Sequence, residues 1–139
     1  MAVNGFRLVR TDDEAAVKRL HTRLFPDTVF EGKGNAHWLI LNGAGAVAFA
    51  SARESRYEPD AAFLSRCGVV PTARGHHLQQ RLIRARVQWA RREGYMRAVT
   101  YCLLENVPSA RNLAHCGFLP YWPKPAWAGK VWYFEKTLE

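Results

Sequence analysis

The stretch that decides the fold is Val69–Tyr95, "VVPTARGHHLQQRLIRARVQWARREGY". It predicts the end of a buried strand, a tight turn, and a basic helix from about Gly75 to Arg92, which Gly94 ends. A turn from strand to helix is a natural anion site, because the amides and the dipole of the helix N-terminus attract negative charge. Apolar residues at helical spacing predict the buried stripe of this helix: Leu78, Leu82, Ile83, Val87 and Trp89 or Ala90.

Turns that hold phosphate usually carry several glycines, but here only Gly75 is present, and His77 and Gln79 stand at the next positions. Glycine is needed only where φ is positive or where a Cβ would strike the ligand. If His77 and Gln79 already lie in the first helical turn, their side chains point away and their amides remain available. We therefore predict a phosphate cradle with Gly75 at its tightest point. His76 and His77 either add hydrogen-bond donors or face solvent.

The elements around this stretch alternate between strand and helix. "FRLVR" (Phe6–Arg10) predicts a half-buried strand, and the next segment predicts a helix capped by Thr11 with Glu14 in a capping box. "NGAG" (42–45) predicts a hairpin between two apolar strands. Further strands are predicted in "AAFLSRCGVV" (61–70), "RAVTYCLL" (97–104) and "KVWYFEKTLE" (130–139), and a helix in "NVPSARNLAHCGF" (106–118).

This order predicts an α/β (α+β) fold, a sheet covered by helices on both faces. The length of 139 residues suits a single domain spanning 1–139. Apolar runs are far shorter than the ~20 residues of a membrane span, and the N-terminus has no secretory pattern. Three cysteines without ligand spacing, Cys67, Cys102 and Cys116, predict free thiols in a reducing, cytoplasmic setting and argue against a zinc site.

Net charge narrows the class of partner. The chain carries a formal charge of +8 and a pI of about 9.9, which favours polyanions such as nucleic acid, anionic lipid or a polyphosphate cofactor. Arginines concentrate in and beside one segment: Arg74, Arg81, Arg84, Arg86, Arg91 and Arg92.

Two motifs in a fixed order resemble the Gcn5-related N-acetyltransferase (GNAT) superfamily. The first is the strand ending "CGVVP" that runs into "TARGHHLQQRLI"; the second is "ENVPSARNLAHCGF" after the strand "AVTYCLL". The resemblance covers about Ala61 to Phe118. It implies the GNAT fold, a mixed and mostly antiparallel central sheet flanked by helices, and acetyl-CoA as co-substrate with no metal.

The resemblance also implies the cofactor-binding residues. The backbone of Cys67 and Val69 would pair with the pantetheine arm, and Gly68 between them permits a bulge. Asn106 and Ser109 match the second motif, while Asn106 alternatively caps its helix. The amides that would hold the phosphates belong to six consecutive residues: Arg74, Gly75, His76, His77, Leu78 and Gln79.

The implied reaction is attack of a neutral amine on the acetyl thioester, which requires a proton acceptor. The family often has a tyrosine that acts as the general acid. At that position this chain has Leu113, which cannot donate a proton. We predict Glu54, Glu105 and Tyr121 as catalytic residues. Other residues remain open for the same roles: Glu31, His37, Glu58 and Asp60 as bases, and Tyr101, Tyr133, His115 and Cys116 as acids.

Two further functions stay open: a basic nucleic-acid-binding module built on "RLIRARVQWARR", and a GNAT-like protein that binds CoA without catalysis. Within the acetyltransferase hypothesis the acceptor is a small-molecule or protein amine. Aromatic residues of "PYWPKPAWAGKVWYF" (120–134) could wall its pocket or complete a core. No membrane association is predicted, and the chain is expected to be a monomer or a homodimer, with "KVWYFEKTLE" as a candidate edge strand.

Overall fold

The computed structural model describes residues 2–138. Its first elements are β1 (Ala2–Val3), β2 (Phe6–Thr11), α1 (Glu14–Leu24), β3 (Ala36–Asn42), β4 (Gly45–Glu54) and β5 (Ala61–Val69). A short 3₁₀ turn (Pro71–Ala73) leads to α2 (Leu78–Arg92), which is followed by β6 (Arg97–Cys102), α3 (Val107–His115), β7 (Leu119–Tyr121) and β8 (Trp132–Thr137).

The strands form a mixed, mostly antiparallel sheet in the order β1-β2-β3-β4-β5-β6-β8-β7. The predicted fold class is confirmed by this sheet and the three helices. β5 and β6 run parallel, and their register consists of three pairs that end at Phe63↔Val99. β8 pairs with β6 on one side and β7 on the other. The prediction that this last strand is an edge was therefore wrong, because β7, too short to recognise in the sequence, covers it.

The described residues group into two compact units. One contains residues 2–52 and 65–82, and the other contains residues 53–64 and 83–138. A single domain spanning 1–139 therefore stays a prediction.

In the first unit, α1 contacts β3 and buries Val17, Leu20 and His21. The helix begins two residues later than predicted: Asp13, not Thr11, is its N-cap, and the Asp13 carboxylate accepts the Ala16 amide at 3.1 Å. Thr11 instead accepts the Asp13 amide at 3.0 Å. The capping box was wrong for a physical reason, since the Glu14 carboxylate accepts the Gly34 amide at 3.0 Å instead.

The hairpin between β3 and β4 is confirmed, with Asn42 opposite Gly45 across a two-residue loop. In the second part of the chain, the predicted stripe of α2 is also confirmed, since each of its apolar residues except the half-buried Trp89 is buried. Gly94 adopts a φ of 87° after the helix, the left-handed conformation that commonly ends helices. None of the helices within residues 2–138 is long and apolar enough to cross a membrane.

Candidate functional site

The turn that leads into α2 is the first part of the site. Val70 donates its amide to the Val47 carbonyl at 2.9 Å, which holds the end of β5. The chain then makes the 3₁₀ turn, and the Arg74 amide donates to the Pro71 carbonyl at 3.3 Å. The Arg81 amide donates to the His77 carbonyl at 3.2 Å and closes the first turn of α2. The amides that precede this bond are directed to the N-terminal end of the helix, where the dipole favours an anion.

Two residues of this turn have left-handed backbone conformations. Gly75 has a φ of 86°, and a Cβ built on it would meet nothing within 4 Å. His77 has a φ of 58° and lies before α2, which begins at Leu78. The prediction that His77 belongs to the first helical turn was therefore wrong, whereas Gln79 does lie in that turn. Glycine adopts this conformation without strain, so histidine holds it here at a cost.

The His76 ring lies 4.8 Å from the Phe6 ring between centroids, inclined at 48°. Arg81 reaches the same residue from one turn into the helix, donating from Nη1 to the Phe6 carbonyl at 3.0 Å. His76 is therefore held against β2 rather than left wholly to solvent, although its residue as a whole is exposed. Arg74 and His77 are also exposed, so a cation and a second imidazole border the turn.

The strand before the turn contains Cys67, Gly68 and Val69. Cys67 and Val69 are half-buried and Gly68 is buried. A Cβ on Gly68 would come within 2.9 Å of Leu24 and 3.0 Å of Phe25 and Phe49. Close packing thus requires glycine at this position, and the predicted bulge stays a prediction.

The second motif forms the N-terminus of α3. The Asn106 side chain accepts the Ser109 amide at 3.2 Å and caps the helix, as one of the two readings of Asn106 predicted. Both residues lie at the N-terminal end of this helix. Their contacts with a cofactor stay predictions. Leu113, at the position of the family's tyrosine, is buried in the same helix.

A polar network surrounds Tyr121 in the second unit. The Tyr121 hydroxyl donates to Glu58 Oε2 at 2.6 Å, and Trp127 Nε1 donates to the Tyr121 oxygen at 3.3 Å. Arg97 lies 3.3 Å from Glu58 Oε1 and donates to Glu135 Oε1 at 2.8 Å. Burial, and then the hydrogen bond to Glu58, raises the pKa of the Tyr121 hydroxyl, so the phenol keeps its proton at neutral pH.

The three predicted catalytic residues have different surroundings. Tyr121 lies in this network, while Glu54 and Glu105 are exposed. Glu54 is hydrogen-bonded to Tyr95, whose pKa is raised by burial and then by the Glu54 charge. The network residues that the sequence did not single out are Arg97, Glu135 and Trp127. The register that joins them, with Val99 opposite Glu135, is not visible in a single sequence.

Other residues considered for catalysis, a histidine and the cysteines, lie in surroundings that suggest structural roles. His37 is buried, and its Nδ1 lies 2.7 Å from Ser51 Oγ while its Nε2 lies 3.4 Å from Glu14 Oε2. The cysteines are free, and burial raises the pKa of the Cys102 and Cys116 thiols, which opposes a nucleophilic role. Within residues 2–138, no cluster of three or more His, Cys, Asp or Glu residues could hold a metal ion.

Comparisons with known proteins agree with the fold. Residues 6–118 match the family model described as "Acetyltransferase (GNAT) family". No curated protein matches the chain.

Among solved structures, an IAA acetyltransferase from Bacillus cereus is 16% identical with a TM-score of 0.76, over 96% of this chain and 99% of that one. The yncA protein from Salmonella typhimurium, solved with its cofactor acetyl-CoA, is 17% identical with a TM-score of 0.77, over 98% and 95%. The ribosomal-protein-S18-alanine N-acetyltransferase from Escherichia coli is 14% identical with a TM-score of 0.69, over 94% and 90%.

Proposed function

The chain belongs to the acetyltransferase (GNAT) family, and we propose that it transfers an acetyl group from acetyl-CoA to a primary amine, a small molecule or a protein amine. The observation that carries this proposal is the turn at 74–79, where Gly75 and His77 both have positive φ before α2. Consecutive amides in such a turn converge on one anion. The open space over Gly75 and the exposed Arg74 fit the pyrophosphate of the cofactor.

Arg74, Gly75, His76, His77, Leu78 and Gln79 hold the phosphates in this proposal, Cys67 and Val69 pair with the pantetheine arm, and Asn106 and Ser109 contact it. The protein works as a cytoplasmic enzyme.

Proton transfer is assigned to Glu58 and Tyr121. The amine nitrogen attacks the thioester carbonyl, a C–N bond forms, the C–S bond breaks, and CoA leaves as a thiolate. Glu58, as a carboxylate, accepts the proton that the amine loses, directly or through water. Tyr121 relays this proton: its hydroxyl donates to the thiolate while its oxygen takes the proton that Glu58 has gained, along their 2.6 Å hydrogen bond. Protons therefore balance over one turnover.

The test is CoA release with a panel of primary amines, detected as free thiol. A functioning base contributes about 10²- to 10⁴-fold in rate, so Glu58→Gln should lower kcat by at least about tenfold. Glu93→Gln, at an exposed glutamate just after α2 that belongs to no predicted site, is the matched control and should leave kcat unchanged. Equal rates for the two variants would remove Glu58 from the mechanism. Acetyl-CoA binding without any turnover would leave a CoA-binding protein in place of an enzyme.

A further inference from the structure

An aromatic cluster in the second unit has no part in the proton-transfer network except at its rim. Tyr57 and Trp127 stack with centroids 5.7 Å apart and planes at 11°. Phe63 and Tyr101 stack in the same way, at 5.9 Å and 11°. Trp127 meets Phe63, Tyr101 and Tyr133 edge-on at 5.6, 5.8 and 5.1 Å. We refer to Tyr57, Phe63, Tyr101 and Trp127 as the aromatic cluster.

The aromatic cluster is open to solvent on two of its rings. Tyr57 is 61% exposed and Tyr101 is 37% exposed, although each already stacks on a neighbour. An aromatic ring that completes a core is normally covered, and rings left exposed in a group are a feature of binding sites. The planes of both stacked pairs are nearly parallel, so a further flat ring can extend either stack.

Charge at the rim of the aromatic cluster suits a cation. Trp127 Nε1 joins it to the Tyr121–Glu58 network at 3.3 Å. In that network one guanidinium, Arg97, contacts two carboxylates, Glu58 and Glu135, at 3.3 and 2.8 Å. These three side chains carry a surplus of one negative charge. The cluster itself already holds a cation, since the Arg53 guanidinium lies 4.9 Å from the Phe63 centroid, which occupies that ring face but not those of Tyr57 and Tyr101.

We propose that the aromatic cluster binds the acceptor, and that it selects amines in which a short alkyl chain joins the ammonium group to a planar aromatic ring. The ring stacks on Tyr57, the more exposed of the two rings, and the ammonium lies toward the carboxylates beside Trp127. This inference rests on the proposed function for the word acceptor, because it assigns the substrate class of that reaction.

The experiment compares 2-phenylethylamine with 2-cyclohexylethylamine, which has the same chain, the same charge and a saturated ring. Binding of each to the full chain is measured by calorimetry without acetyl-CoA, so the result does not depend on turnover. A stacking contribution of about 0.5–1.5 kcal/mol corresponds to a preference of about 2- to 12-fold for the aromatic amine. Tyr57→Leu should reduce this preference to less than about twofold, because it removes an exposed face of the stack.

Trp122→Leu is the matched control, because Trp122 is 78% exposed and lies outside the aromatic cluster. It should keep the full preference. Three results would overturn the inference. They are equal affinity for the two amines, no detectable binding of either amine at about 10 mM, and a preference for the aromatic amine that Tyr57→Leu leaves intact. Failure of the proposed function is a separate result, seen as absent acetyl-CoA binding in the same instrument.

Discussion

His77→Gly tests the conformation of the phosphate turn. At a φ of 58°, a side chain with a Cβ pays about 1–2 kcal/mol for the left-handed conformation, and histidine is placed at the lower end because it enters this region more readily than most residues. Glycine removes that cost, but its greater conformational freedom in the unfolded state lowers the free energy of unfolding by about 0.5 kcal/mol. The net expectation is a stabilisation of about 0.5–1 kcal/mol.

The matched variant is Gln79→Gly, two residues further on and inside α2. Glycine there has no strain to relieve and costs about 0.5–1 kcal/mol in helix propensity. Urea denaturation of both variants should therefore separate them by about 1–2 kcal/mol, with His77→Gly above the wild type. If both variants are destabilised equally, residue 77 is helical and the description of the turn is wrong.

Three other predictions concern packing and titration. Gly68→Ala should destabilise by about 1–3 kcal/mol in urea denaturation, because its Cβ meets Leu24 at 2.9 Å; a neutral result would refute the close packing. Tyr121→Phe should make the free energy of unfolding fall less steeply above about pH 10. The folded pKa of Tyr121 is raised from 10.0, so the stabilisation by its protonated hydroxyl is lost in the wild type as pH rises through the folded pKa. Denaturation midpoints from pH 8 to 11 measure this difference, and parallel profiles for the two proteins would contradict the prediction. Glu14→Gln should reduce the loss of stability at acid pH. The Gly34 amide lowers the pKa of the Glu14 carboxyl from 4.5, so the stabilisation by this carboxylate is present above that pH and is lost as pH falls below it. Thermal unfolding between pH 3 and 6 measures the loss, and the same loss in the variant and the wild type would contradict the prediction.

Much of the secondary structure could be predicted from short stretches of the sequence. The spacing of Leu78, Leu82 and Val87 predicted the buried stripe of α2, because a helix repeats every 3.6 residues whatever surrounds it. Gly94 and Asn106 predicted a helix end and a helix start for the same local reason. Sequence alone could not decide between Thr11 and Asp13 as the cap of α1, since Gly34, a residue 20 positions from Glu14, takes the partner that the capping box required.

The candidate site depended more on distant residues. Tyr121 and Glu58 are 63 positions apart and meet only because the loop between β4 and β5 approaches β7 in the fold. Glu58 was one of several loop carboxylates in the sequence, and only its 2.6 Å contact with Tyr121 distinguishes it. The left-handed conformation of His77 was equally invisible, because the residue type favours helix continuation as readily as a turn.

The most direct test of the central claim is calorimetric titration with acetyl-CoA, with dephospho-CoA alongside it. The proposed phosphate turn predicts micromolar affinity, about −8 kcal/mol, and retained binding of dephospho-CoA, because that compound keeps the pyrophosphate. Arg74→Gln should weaken acetyl-CoA binding about threefold or more, while Arg91→Gln at the far end of α2 should leave the affinity unchanged. No heat of binding up to millimolar acetyl-CoA, or equal losses in both arginine variants, would contradict the assignment of residues 74–79 as the phosphate-binding turn.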